Sequence, residues 1–380
     1  ALKRLQHRLY RFLSWFDSDS MQRAVFWLFF VALVFSMVPL MELDIYLGVR
    51  PQIPIDFVMI AGATLLCVSS VATVIWHHRR LLAILLLSVV GMVVSIAFAL
   101  FSAPDLALTQ LSVEVVTIVL LLLALHFLPQ DIRNVSSPNR VVRDSSLAVL
   151  IGGVVGTIAF ALITRPLESI SGYYIDNAKV LGGGANVVNV ILVDFRGFDT
   201  FGEISVLAIA ALGISLLLER MRPFQSEADP DGRPWAADKH PMMLSVVSQA
   251  ILPLAVMVSV YIFLRGHNLP GGGFIAGLIT AIALIQQYIA LGYGWLNERL
   301  PINYLYLIGS GLLIAVATGA GSFLWQQPFL KSWHGHSHIP ILGNIELASA
   351  MAFDLGVYLT VVGACMMILS QLGRLKNPSG

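Results

Sequence analysis

The chain has 380 residues, 57% of them hydrophobic and only 12% charged, and a formal net charge of +1. Soluble domains carry about 25% charged residues, so a water-soluble packed core is excluded, and so near-neutral a balance gives no footprint for nucleic acid. Cys67 and Cys365 both lie inside apolar runs and read as small buried hydrophobes, not as a disulfide.

From the N-terminus, "ALKRLQHRLYRFLSWF" lacks a cleavage site and predicts an amphipathic basic helix over 1–22, on the cytoplasmic surface. Because it starts at Ala1 and not at Met, the chain is expected to be the C-terminal part of a longer protein. Apolar runs of about 20 residues then recur, each long enough to cross a bilayer. They predict spans near 24–41, 57–76, 81–101, 106–128, 146–164, 200–218, 243–264, 271–293, 303–325 and 347–371. The expected fold is an all-α polytopic membrane protein of about ten transmembrane helices. Six fall in a membrane domain over 23–222 and four in a second over 241–380. Between them, "ERMRPFQSEADPDGRPWAADKHPM" is the longest polar stretch, and 223–240 reads as a cytoplasmic linker joining two once-separate proteins. The segment 165–189 reads as an excursion on the outer side with a Gly-rich turn.

Basic residues set the orientation. With the N-terminus cytoplasmic, seventeen of the 23 Lys and Arg fall inside; only Arg50, Arg165, Lys179, Arg196, Arg265 and Lys331 fall outside. A bias kept through alternating loops predicts an even number of spans with both termini in the cytoplasm.

The intramembrane acids carry the chemistry. In "APDLALTQLSVEVVTIVLLLLALHFLP", Gln110, Glu114 and Thr117 stand at i, i+4 and i+7 and share one helix face, with Asp105 at the head of the same stretch. An ionised carboxylate in hydrocarbon costs several kcal/mol, so Glu114 must face protein, water or an ion, or be neutral. Two readings stand: a neutral acid bonded between helices, or a carrier of protons or cations. In "VDFRGFDTFGEISVLAIAALG", Thr200-x-x-Glu203 before an apolar run has the form of a capping box, with Asp199 favoured by the helix dipole. Asp194, Arg196, Asp199 and Glu203 can equally form the mouth of an ion path at one membrane edge.

Further along, "FLRGHNLPGGGFIAGL" requires a tight turn or a broken helix at Pro270, Gly271, Gly272 and Gly273, able to line a water-filled cavity or to remain a plain loop. His267 beside it is of a type that titrates near neutral pH. Glu346 and Asp354, eight apart in "ILGNIELASAMAFDLGVYLTVVG", are expected close to one helical face, serving ions or helix packing. The three histidines of "WHGHSHIP" have no nearby acid or cysteine to complete a set, so no metal site is expected. The P-loop, zincin, dinucleotide and nucleophile-elbow patterns are absent, as are haem and iron–sulfur spacings, so neither an enzyme nor a bound cofactor is expected.

Together these motifs resemble one family. "APDLALTQLSVEVVTIVLLLLAL" and "NVVNVILVDFRGFDTFGEISVLAIAALG" look like the C-terminal region of the large A subunit of Mrp-type (Mnh, Sha, Pha) multisubunit Na⁺/H⁺ antiporters. "GHNLPGGGFIAGL" and "FDLGVYLTVVG" look like the B subunit. The resemblance covers nearly the whole chain and accounts for the polar seam as an A–B fusion. It implies a bacterial inner-membrane complex, with antiporter-like and small membrane subunits as partners and Na⁺ and H⁺ as cargo. It also implies a large antiporter-like domain preceding Ala1. Glu114, Asp199 and Glu203 match acidic positions of the family's ion path. The A-like tail is similar, too, to a small membrane-arm subunit of respiratory complex I that carries a local helix defect. Two other readings compete: the Na⁺/H⁺ module of a hydrogenase-type complex, and a non-conducting scaffold for the antiporter-like subunits.

Overall fold

A computed structural model describes residues 21–42, 48–50, 54–126, 137–166, 168–221, 242–339 and 343–372. The basic segment 1–20 and the polar stretch 222–241 lie outside the described residues, as do the side chains of 336–347.

Among the described residues, ten helices are long and apolar enough to span a membrane, six before the seam and four after it. They are α1 (Met21–Glu42), α2 (Phe57–Ile75), α3 (Arg80–Leu100), α4 (Pro104–His126), α5 (Pro138–Thr164) and α8 (Gly197–Met221), then α9 (Met242–Arg265), α10 (Gly273–Arg299), α11 (Tyr304–Gly321) and α12 (Ser349–Leu372). Local chemistry sets several of the starts. Asp56 caps α2 by accepting from Phe57 N at 2.7 Å, and Asn303 caps α11 by accepting from Leu305 N at 3.0 Å. Pro138 begins α5, where its missing N–H costs nothing. That helix therefore starts eight residues before the expected 146, with Arg140, Arg143 and Asp144 on a polar extension.

The segment expected as an outer excursion contains two short helices, α6 (Ser171–Gly182) and α7 (Val187–Val190), the latter running into a π turn at Ile191–Phe195. The pair is bent by 80°. Gly183, at φ 72°, ends α6 in the left-handed conformation. Asn186 starts α7, its side chain accepting from Asn189 N. The π turn closes with Arg196 N donating to Ile191 O at 2.7 Å. It is a local helix defect of the kind the resemblance implied.

Two compact units divide the chain, and they do not follow the seam. One holds α1 and α5, which pack on each other with the Arg143 guanidinium 4.5 Å from the centroid of the Phe26 ring. Among its described residues only Leu33 and Ala161 are buried apolar side chains, so its faces suit lipid or neighbouring helices. In the other unit α3 packs between α2 and α4, α10 contacts α4, α9 and α12, and α12 contacts α8 and α11. Helices from both sides of the seam thus share one core, filled by Ile204 of α8, Ile285 of α10, and Phe353, Val357 and Val361 of α12. At the α11–α12 crossing the backbones meet at Gly311 and Gly356: a Cβ on Gly356 would stand 2.6 Å from Gly311 O.

Two features depart from the sequence reading. Residues His334–Ile339 (β1) and Gly343–Ala348 (β2) form an antiparallel hairpin, with His336 opposite Glu346. Glu346 is therefore not on a helix face with Asp354: α12 begins at Ser349, because the preceding residues pair their backbone across the hairpin instead of along a helix. Likewise Thr200-x-x-Glu203 is not a capping box. The helix starts at Gly197, placing Thr200 inside its first turn, and the Thr200 hydroxyl donates backwards to Leu192 O at 2.8 Å, a carbonyl of the π turn.

Candidate functional site

The loops expected on the outer side meet at one end of the larger unit, around the Pro-Gly turn. Gly272 adopts φ 116° and ψ 175°, a region open essentially to glycine alone. A Cβ there would also stand 2.8 Å from Asn189 Nδ2 and 3.2 Å from Asp354 Oδ2. The turn lets the start of α10 approach the acid of α12, and the Gly273 N–H donates to the Asp354 carboxylate.

The Gly-rich loop before α7 docks on this turn. Ala185 N donates to Asn268 Oδ1 at 3.0 Å and Asn186 N to His267 O at 3.1 Å. The Asn186 amide donates to Gly266 O and Leu269 O, both at 3.0 Å, and is 3.2 Å from Asp105 Oδ1. That same Asp105 oxygen accepts from Gly271 N at 2.9 Å. Asp105, buried in the first turn of α4, thus ties together three segments that are far apart in sequence. An enclosed carboxylate needs such donors.

Beneath this junction lies a cavity of about 320 Å³. Asp105 and Thr109 of α4, Asn189 of α7, Thr200 and Glu203 of α8, Gly271–Gly273 and Asp354 all line it. The buried Asp354 accepts from Asn189 Nδ2 at 3.5 Å. The cavity brings together three carboxylates from three helices, with hydroxyl and amide groups beside them in an otherwise apolar wall. Such a lining can hold water and a monovalent cation, and a buried acid there can exchange the cation for a proton. His267 is buried behind it: with Phe263, Ala350 and Met351 it borders a narrow gap on another side of Asn189 and Asp354.

The other sequence candidates fall elsewhere. Glu114 is nine residues beyond Asp105 on α4, about 13 Å deeper along the axis, and does not line the cavity. It is half-buried, with its carboxyl group directly against Gly91 of α3; a Cβ at Gly91 would overlap it. Gln110 is half-buried and Thr117 exposed, so the polar face they share with Glu114 lies along an edge of the packed helix. Asp199 is exposed and ion-pairs with Arg196. Sequence spacing did not single out Asn186, Asn189 or Gly91. The Asn pair does have a local signal, an i, i+3 spacing directly after the glycine run.

Among the described residues, ten helices long and apolar enough to span a membrane, with acids inside several of them, define a multi-pass membrane protein. Residues 243–367 match the family described as a domain related to the MnhB subunit of Na⁺/H⁺ antiporter, while 65–130 and 139–232 match the families described for the D and E subunits of MBH, respectively. The B subunit of the Na⁺/H⁺ antiporter of Bacillus subtilis (strain 168) is 44% identical over 133 residues, which are 35% of this chain and 93% of that protein. The chain belongs to the Mrp-type multisubunit Na⁺/H⁺ antiporter family, with the C-terminal part of an A-type polypeptide joined to a B-type one. The probable K⁺/H⁺ antiporter A/B subunit of Rhizobium meliloti (strain 1021) is 43% identical over 78% of this chain. The chain spans 32% of that relative's length, and the match to the large A-type polypeptide of the Bacillus subtilis antiporter, at 42% identity, spans 20%. A solved Mrp complex from Dietzia sp. DQ12-45-1b superposes over 99% of this chain and 42% of its own, with a TM-score of 0.85 and 30% identity.

Proposed function

We propose that this chain forms the A-tail and B portion of a multisubunit complex that exports Na⁺ in exchange for H⁺, and that its intramembrane acids serve the ion path. The observation that carries this reading is the cavity that Glu203, from the A-like part, and Asp354, from the B-like part, line together. Glu114 is a separate station of the same path, deeper on α4. Antiporter-like and small membrane subunits cover the exposed apolar faces, the complex lies in the bacterial inner membrane, and both termini are cytoplasmic. As the Rhizobium relative is described for K⁺, the cation is to be tested with both ions.

The test is proton movement in everted vesicles holding the whole complex, on addition of Na⁺ or K⁺. Asp354→Asn and Glu203→Gln each keep size and hydrogen bonding but lose the titrating charge. Each is expected to assemble and to lose about tenfold or more in exchange rate, a barrier change near 1.4 kcal/mol. Full exchange from both assembled variants would leave a scaffold. The matches to the D and E subunits of MBH favour one second reading, a cation/proton module of a hydrogenase-type complex; redox proteins co-purifying with the chain would establish it.

The seam carries its own prediction. With 223–240 a cytoplasmic linker and the α4–α10 and α8–α12 contacts providing the association, a chain cut there and expressed as two parts is expected to assemble and exchange ions. Failure of the two parts to associate, measured by co-purification, would mean that the linker does more than join them.

A further inference from the structure

Asp194 belongs to the π turn and has a side chain wholly removed from solvent, yet it does not line the cavity. Both its oxygens are engaged from the far side of the seam. Lys331 Nζ donates to Oδ2 at 2.8 Å, and Ser332 N donates to Oδ1 at 3.0 Å. The same ammonium donates to Leu181 O at the end of α6, 3.1 Å away, and lies 5.4 Å from the centroid of the Phe195 ring. One cation thus binds the end of α6 and the π turn to the loop between α11 and β1.

That loop is itself fixed. Leu330 N donates to Gly319 O at 3.2 Å and Ser322 Oγ to Pro328 O at 2.7 Å. Trp333 and Ser349 exchange two hydrogen bonds, each 2.8 Å, one from the Trp333 N–H to Ser349 Oγ and one from the Ser349 N–H to Trp333 O. Lys331 is therefore presented from a frame anchored to α11 and α12, the helices of the B-like part.

The stretch it holds is the wall of the cavity. Asn189, which donates to Asp354, precedes Asp194 by five residues; Leu192, which accepts from Thr200, lies between them. We infer that Lys331 is a positioning residue for cation binding: by pinning Asp194 it sets the π turn so that Asn189 reaches Asp354, and Thr200 and Glu203 face the cavity. Asp194 is enclosed while Lys331 is partly exposed; an ion pair with a buried partner contributes little net stability compared with an apolar pair of similar size, whereas the buried carboxylate left alone is costly. The use of this pair is geometric. The inference rests on the reading of the cavity as a cation site.

The experiment measures antiport in vesicles of the whole complex as a function of cation concentration. The paired variant Asp194→Asn with Lys331→Met leaves no lone buried charge and is expected to assemble. Its apparent KM for the exported cation should rise about tenfold at a nearly unchanged maximal rate, the pattern of lost binding common to ground and transition states. Lys331→Arg keeps the charge but has a longer, planar head, so it tests the same point if the paired variant does not assemble. It should raise KM a few-fold. A parental KM in either assembled variant would overturn the inference and leave the pair as packing alone. If the parental complex exchanges no monovalent cation, the reading of the cavity fails instead, before any variant is compared.

Discussion

Glu114→Gln should leave the complex assembled and remove most of its cation/proton exchange, by about tenfold or more. Glutamine fills the same space and keeps a carbonyl acceptor but can neither release a proton nor supply negative charge. A neutral packing acid would be replaced by it without loss. The carboxyl group of Glu114 rests against Gly91 of α3, which suggests a companion variant. Gly91→Ala places a methyl where the carboxyl lies, while alanine favours the helix by about 1 kcal/mol over glycine. Exchange should therefore fall although α3 is not weakened, and Glu114→Asp, with its shorter reach, should retain part of the activity. Assembly is checked by co-purification and exchange by proton movement in the same vesicles. Parental exchange from an assembled Glu114→Gln complex would reduce Glu114 to a structural polar contact.

The spans were legible because hydrocarbon forces the backbone to satisfy itself within each segment, so every crossing writes about 20 apolar residues into the sequence. The start of α5 was less so: hydropathy reports where a helix meets lipid, not where Ser137 and Pro138 begin it. Asp105, Glu203 and Asp354 were found because an acid in an apolar run is costly wherever it points. Their convergence was not legible, since it depends on loops separated by up to 166 residues, as in the Gly271 to Asp105 bond. Lys331 had no periodic signal at all; its partner Asp194 is 137 residues away. Where local pattern competed with tertiary structure, tertiary structure prevailed. The π turn turned Thr200 from a cap into a donor to Leu192 O, and the hairpin took Glu346 off the helix.

Gly272→Val should be the most damaging single change in the B-like part. At φ 116° and ψ 175° any side chain is strained, at a cost of roughly 1–3 kcal/mol, and a β-branched one most of all. Space adds to the strain. The new Cβ would press on Asn189 Nδ2 and Asp354 Oδ2, so relief requires the α9–α10 turn to move away from α7 and α12. That movement would break the Gly272 N to Ile262 O and Gly271 N to Asp105 bonds, at 3.2 and 2.9 Å. Loss of the assembled complex is expected for valine. Alanine at the same position is smaller and should allow some assembly, but with exchange reduced about tenfold because Asn189 is pushed from Asp354. Comparing the two separates backbone strain from the loss of the cavity wall: valine is read by the amount of complex recovered, alanine by exchange per complex. Parental exchange from Gly272→Val would show that the turn relaxes freely, and that the contact between the Gly turn and Asp354 is not what shapes the site.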